Sequence, residues 1–234
     1  MHLKELKKEL KNFSDSEKAK IYSRFFKTKK GEYSEGDIFI GVKVPEQRKI
    51  AKKYINTGLK DLQKLLNSKV HEHRNTALLI LIYKFKKSKN EEKEKMYKFY
   101  LKNTNNINNW DLVDVSASYI IGEWLCDKDK NILYRLAKSQ NLWERRIAII
   151  STFAFIRNNQ FEDTFKIAEI LLDDNHDLMH KAVGWMLREV GKKDLETEEK
   201  FLKKHYQKMP RTMLRYAIEK FQEEKRQKYL KGKI

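Results

Sequence analysis

The chain has 234 residues, 40% of them hydrophobic, and carries 51 Lys and Arg against 33 Asp and Glu, a net charge of +18 at pH 7. That apolar content supplies a sizeable core and excludes a disordered chain, while a cationic surplus spread from Lys4 to Lys233 points to a polyanionic partner. With Cys126 the only cysteine, an intramolecular disulfide and a thiolate zinc site are excluded, and a reducing, cytoplasmic setting fits.

The opening segment, MHLKELKKELKNF, is charged and amphipathic and lacks the apolar core of a signal peptide. No later run approaches the length of a membrane span. The chain is therefore expected to be the mature protein, a monomer folding as one domain over residues 1–234, with no membrane attachment. Ser14 with Glu17 reads as a capping box opening a helix, and Pro45 and Pro210 sit where first-turn prolines belong. Apolar residues recur at three and four positions in LKDLQKLLNS and TALLILIYKF, and NTNNINN offers cap residues before Trp110. With two prolines, eight glycines and no convincing strand, the pattern predicts about eleven to thirteen helices.

The helices repeat. From Arg145, a step of 35 back reaches Trp110 and a further 36 reaches Arg74, while steps of 35 forward reach His180 and Arg215. Each position opens a similar phrase: RNTALLI, WDLVDVS, RRIAIIS, HKAVGWM, RYAIEKF. This period, with two helices per unit, predicts an all-α fold, an α-solenoid of stacked antiparallel helix pairs of the HEAT-like kind with a curved, basic concave face. In such an array Arg74, Arg145 with Arg146, His180 with Lys181, and Arg215 form a basic column suited to DNA phosphates. The competing reading is that these side chains cap or bridge adjacent helices.

One repeat breaks the pattern. The fifth position of each phrase is Leu78, Ile149, Gly184 and Glu219, but Asp114 in the second, whose first position is Trp110 where the others have Arg or His. On a 3.6-residue helix Trp110, Val113, Asp114, Ala117 and Ile121 share one face, so a carboxylate stands among apolar neighbours. That is an expected place for function to override the repeat. His176 and His180 have i, i+4 spacing but lack the glutamate of a metalloprotease motif, so capping or phosphate contact is expected and no metal. His71 and His73 diverge on a helix and read as ordinary exposed residues.

NWDLVD, NLWERRIAI and HKAVGWMLRE, with the earlier GDIFIGVKVPEQR, resemble the bacterial DNA alkylation repair family, the AlkD-like DNA glycosylases built from HEAT-like repeats. The likeness runs from about Ser16 to about Tyr216, with the motifs in the family's order. It implies a base excision repair enzyme that cradles duplex DNA and releases purines alkylated at N3 or N7, with no metal or cofactor. It implies also that the lesion is met at the solenoid surface and not in a deep base-flipping pocket. By the resemblance Asp114 matches the catalytic aspartate, Trp110 and Trp185 the aromatic pair beside the lesion, and Arg146 the DNA-contacting arginine. Departures lie near the N-terminus. Phe25 stands in place of a tyrosine, Lys43, grouped here with the DNA-binding cations, in place of a glutamine, and TKKGEYSEGD, residues 28–37, reads as an insertion. Two alternatives stay open: a non-catalytic relative that binds distorted or branched DNA, and a protein-binding solenoid scaffold.

Overall fold

The structure, a computed structural model, describes residues 2–234. Their regular structure is helical: α1 (His2–Asn12), α2 (Ser16–Phe25), α3 (Val44–Lys53), α4 (Leu59–Leu66), α5 (His71–Lys87), α6 (Asn90–Lys102), α7 (Trp110–Ala117), α8 (Glu123–Leu125), α9 (Asn131–Ala137), α10 (Leu142–Arg157), α11 (Glu162–Ile170), α12 (Asp177–Gly191), α13 (Leu195–His205), α14 (Arg211–Ala217) and α15 (Glu223–Leu230). A π-helical stretch, Ser118–Gly122, joins α7 to α8 without a break. The count exceeds the expected number because short final turns and this π-helical interruption divide what periodicity reads as single segments.

Two caps differ from expectation. The N-cap of α2 is Asp15, whose carboxylate accepts from the Lys18 N–H, so the Ser14/Glu17 box is not formed. A carboxylate there satisfies an orphan amide and faces the positive helix end, which a hydroxyl one residue earlier cannot do. Pro45 lies in the first turn of α3 as expected, whereas Pro210 is the N-cap of α14.

The chain forms two compact units, the first closing at Ser116 and the second opening at Ala117. In the first, α3 packs on α5, α1 on α3, and α4 and α6 on α5. Helix α5 buries Ala77 through Ile82 in succession, as a helix surrounded by others must. The long segment between α2 and α3 is seated on the start of α5. Ile38 pairs with Val70 in an isolated parallel bridge, and the buried Glu72 carboxylate accepts from the N–H groups of Ile40 at 3.1 Å and Gly41 at 2.8 Å.

In the second unit α10 packs on the π-helical stretch and on α12, and α12 packs on α14, while α9, α11 and α13 lie against them as partners. Two glycines permit the close crossings: a Cβ at Gly122 would collide with the Ser151 carbonyl on α10, and one at Gly184 with the Met213 carbonyl on α14.

The five repeat phrases fall on α5, α7, α10, α12 and α14. Their register is visible in the hydrogen bonds. Arg74 Nη1 donates to the Ser68 carbonyl at 2.9 Å, Arg145 Nη1 to the Ser139 carbonyl at 3.0 Å, and His180 Nε2 to the Asp174 carbonyl. Each bond reaches six residues back. In each preceding loop the side-chain oxygen at that sixth residue accepts the N–H two residues on: Ser68 from Val70, Ser139 from Asn141, Asp174 from His176. In these three phrases the leading side chain therefore ties down the turn that delivers its helix.

Candidate active site

Trp110, which departs from that scheme, begins α7. Val113, Ala117 and Ile121 are fully buried, and Trp110 and Asp114 lie at the edge of that stripe, half-buried. At the equivalent fifth positions Leu78 and Ile149 are completely buried, Gly184 is buried and Glu219 is exposed, so α7 presents a half-buried carboxylate where α5, α10 and α12 fill the core. Behind it the buried Tyr100 hydroxyl shares a hydrogen bond with Ser116 Oγ at 2.8 Å, and its pKa is raised by burial and by the nearby Asp114 charge.

The start of α7 is held by the first unit's long segment. Trp110 Nε1 donates to the Tyr33 hydroxyl at 3.2 Å, and Asn109, fully buried, donates through Nδ2 to Ser34 Oγ at 2.5 Å. Phe26 stacks on the Trp110 ring, centroids 5.2 Å apart and planes within 21°, and Phe25 meets it edge-on at 5.9 Å. Phe39 continues the stack on Phe26 at 5.0 Å and lies against the His71 ring at 4.5 Å. Phe25, 62% exposed, and Lys43, also exposed, thus stand on the first unit's surface. A cavity of about 380 Å³ opens among Tyr22, Phe25, Phe26, Phe39 and Gln47.

His71 corrects the reading from spacing. It is 2% exposed, with Nε2 donating to Asp111 at 2.8 Å and Nδ1 to Asp37 at 3.3 Å. Burial by itself lowers the imidazole pKa, but the Asp111 carboxylate and then Asp37 outweigh it and raise it from 6.5 to about 9. His71 is therefore an imidazolium joining Asp37 to α7, whose Leu112 N–H is in turn accepted by Asp111. His73, expected to be exposed, is half-buried with Nδ1 2.9 Å from Ser68 Oγ, and burial depresses its pKa to about 4.

The repeat places Arg74 among the groove cations, a role that requires an exposed guanidinium. It is 3% exposed, ion-paired with Asp37 at 2.6 Å and bonded to the Ser68 carbonyl, so we assign it the bridging role. No sequence signal marked Asp37 as a companion of Arg74 or Asp111 as one of His71, because the partners lie 37 and 40 residues apart.

In the second unit, Arg145 bridges similarly, pairing with Asp174 at 2.6 Å. Arg146 is buried and gives Nη1 to the Leu178 carbonyl at 2.5 Å. Lys181 pairs with Asp177 one turn earlier on α12, and Arg215 is exposed on α14. Trp185 is half-buried, donates Nε1 to Glu189 at 3.0 Å and tilts against Phe153 at 6.1 Å. Sequence reading missed Arg157, whose guanidinium lies 5.0 Å from the Phe153 ring and 5.1 Å from Tyr119 while binding Glu123. The Phe153–Arg157 pair, four apart on one helix, was the available signal. His176 accepts the Leu178 N–H through Nδ1 and caps α12, the capping role expected of it.

Among the described residues no group of three or more His, Cys, Asp or Glu could hold a metal ion, and no helix is long and apolar enough to cross a membrane. A family model described as DNA alkylation repair enzyme matches residues 6–221. Among solved structures, a predicted DNA alkylation repair enzyme from Enterococcus faecalis superposes with a TM-score of 0.67 at 16% identity, over 89% of this chain and 96% of that one. AlkD2 from Streptococcus mutans superposes with a TM-score of 0.57 at 19% identity, over 88% of this chain and 98% of that one. At such identities these likenesses concern the fold. No curated protein matches the chain by sequence.

Proposed function

The chain belongs to the DNA alkylation repair enzyme family, and from that premise we propose that it hydrolyses the N-glycosidic bond of cationic N3- or N7-alkylated purines in duplex DNA. The observation that carries the reading is Asp114, a carboxylate at the half-buried edge of α7 where the equivalent Leu78 and Ile149 are core.

The chemistry suits those residue types. An N3- or N7-alkylated purine is already positively charged, so when the glycosidic bond breaks the electron pair leaves with the base, which departs neutral without a general acid. The deoxyribose left behind develops oxocarbenium character. A carboxylate near its anomeric carbon opposes that charge in a partly desolvated site, as carboxylates do in glycoside hydrolysis. Water then adds to the anomeric carbon and its proton passes to solvent. We assign the stabilising role to Asp114. Trp110, one turn before it, offers an electron-rich face to a cationic base, an attraction of about 0.5–2 kcal/mol depending on desolvation.

The second unit is assigned DNA contact, with Trp185 as the other aromatic and Lys181 and Arg215 as cations, while Arg146, buried and bonded to the Leu178 carbonyl, is assigned the support of the start of α12. Lys43 is assigned the same task in the first. Phosphate contacts of this kind position a protein without reading sequence. The charge of +18 supports a polyanionic partner.

If leaving-group charge is the source of selectivity, duplex DNA carrying 7-methylguanine releases its base and duplex DNA carrying hypoxanthine, a neutral lesion, does not. Equal release of both would remove this mechanism. A second reading, a non-catalytic relative that binds distorted DNA, is favoured by Phe25 and Phe26, whose rings occupy the flank of Trp110. Under it neither base is released while the duplex is still bound.

A further inference from the structure

We propose that Tyr33 is a positioning residue: through the hydrogen bond from Trp110 Nε1 it fixes the orientation, within its plane, of the indole that meets the lesion. This rests on the assignment of Trp110 given above. The three residues that open α7 are each tied to one short segment. Asn109 reaches Ser34 at 2.5 Å, Trp110 reaches Tyr33 at 3.2 Å, and Asp111 reaches Asp37 through the His71 imidazolium, at 2.8 and 3.3 Å.

The segment is itself folded tightly enough to act as a fixed support. Glu32 Oε2 accepts the Lys29 N–H and Glu35 Oε2 the Gly31 N–H, each at 2.7 Å, and the Ser34 N–H returns to the Lys27 carbonyl at 3.2 Å. Lys27, Gly31 and Gly36 take positive φ values of 54°, 81° and 84°, so the chain turns sharply three times within ten residues. A lysine in that region is unfavourable and persists only where its surroundings hold it.

Trp110 is thereby constrained in two independent ways. Phe26 stacks on the ring at 5.2 Å, and the Tyr33 hydroxyl holds the ring edge. Stacking alone permits the indole to slide and rotate in its own plane, and a directional bond at Nε1 removes that freedom. Because Trp110 and Asp114 lie one helical turn apart, a fixed indole also fixes where a stacked base stands relative to the carboxylate. Misplacement by about 1 Å costs on the order of 100-fold in rate.

The test uses the full-length chain and Tyr33→Phe, which keeps the ring and removes the hydroxyl. In the wild type the Trp110 indole N–H, assigned by its loss in Trp110→Phe, exchanges slowly with solvent. In Tyr33→Phe its exchange is expected to quicken about 3- to 10-fold, the factor one net hydrogen bond confers. In a double-mutant cycle on 7-methylguanine release, Tyr33→Phe is expected to lower kcat about 10-fold in the wild-type background and less than about 2-fold once Trp110 is Phe. Unchanged indole exchange overturns the proposal, as does an equal loss of release in both backgrounds, which would mean that Tyr33 acts independently of Trp110. Should the wild type release no base, the enzymatic reading fails, and exchange alone decides whether Tyr33 holds the indole.

Discussion

His71 shows how much one side chain's surroundings can change its meaning. Its imidazolium sits between Asp111 and Asp37, with Arg74 on the same Asp37 oxygen, so two cations meet two carboxylates in a buried cluster. The folded pKa, about 9, lies above the ordinary 6.5. The stabilisation it contributes is therefore complete below pH 6.5 and is lost as pH rises through 9. In urea unfolding, the advantage of the wild type over His71→Gln is expected to be greatest near pH 6 and to shrink by on the order of 3 kcal/mol by pH 10. An advantage that stays constant over that range would show that His71 is neutral in the folded protein. Spacing could not reveal this, because HEHR reads as a polar helix start and its partners Asp37 and Asp111 lie 34 and 40 residues away. Asp114 was legible for the opposite reason: its neighbours are local, and a carboxylate beside Trp110, Val113 and Ala117 on one helical face is conspicuous within one helix.

Helices, too, differ in how far sequence discloses them. The period of 35–36 residues placed all five phrases on helices that alternate along the chain with their partners. Repeat units bury the same face against the same kind of neighbour, so spacing survives as a signal even where side chains vary. The cap of α2, the π-helical stretch after α7 and the seating of residues 38–42 on α5 were not legible, since each depends on hydrogen bonds and not on apolar period. Gly184 illustrates an element-level constraint hidden by composition. Mid-helix glycine costs about 1 kcal/mol relative to alanine, so Gly184→Ala would stabilise α12 in isolation. Here the added methyl meets the Met213 carbonyl and Tyr216 Cβ on α14, neither of which can rotate aside. Overpacking of that kind costs about 1–3 kcal/mol, so the variant is expected to be about 1–2 kcal/mol less stable by urea unfolding. A variant at least as stable as the wild type would mean that α12 and α14 separate at little cost.

Across the protein, charge and site chemistry divide the work. A net charge of +18 supplies sequence-independent attraction to phosphate, and family membership connects that attraction to DNA alkylation repair. Several cations expected to face DNA are instead bonded within the protein, Arg74 and Arg145 most clearly. Arg74 and Arg145 secure the loops that deliver their own helices, whereas Arg215 at the same repeat position is exposed, and it and the exposed Lys43 are left as the freer candidates for DNA. Affinity and catalysis should accordingly separate on mutation. The most direct measurement is single-turnover release of 7-methylguanine from duplex DNA by the wild type and by Asp114→Asn, with duplex affinity measured in parallel. The account predicts release slowed about 100- to 1,000-fold in the variant, the usual effect of removing one charge-stabilising group, with affinity undiminished because no cation is lost. Release by Asp114→Asn at the wild-type rate would contradict it.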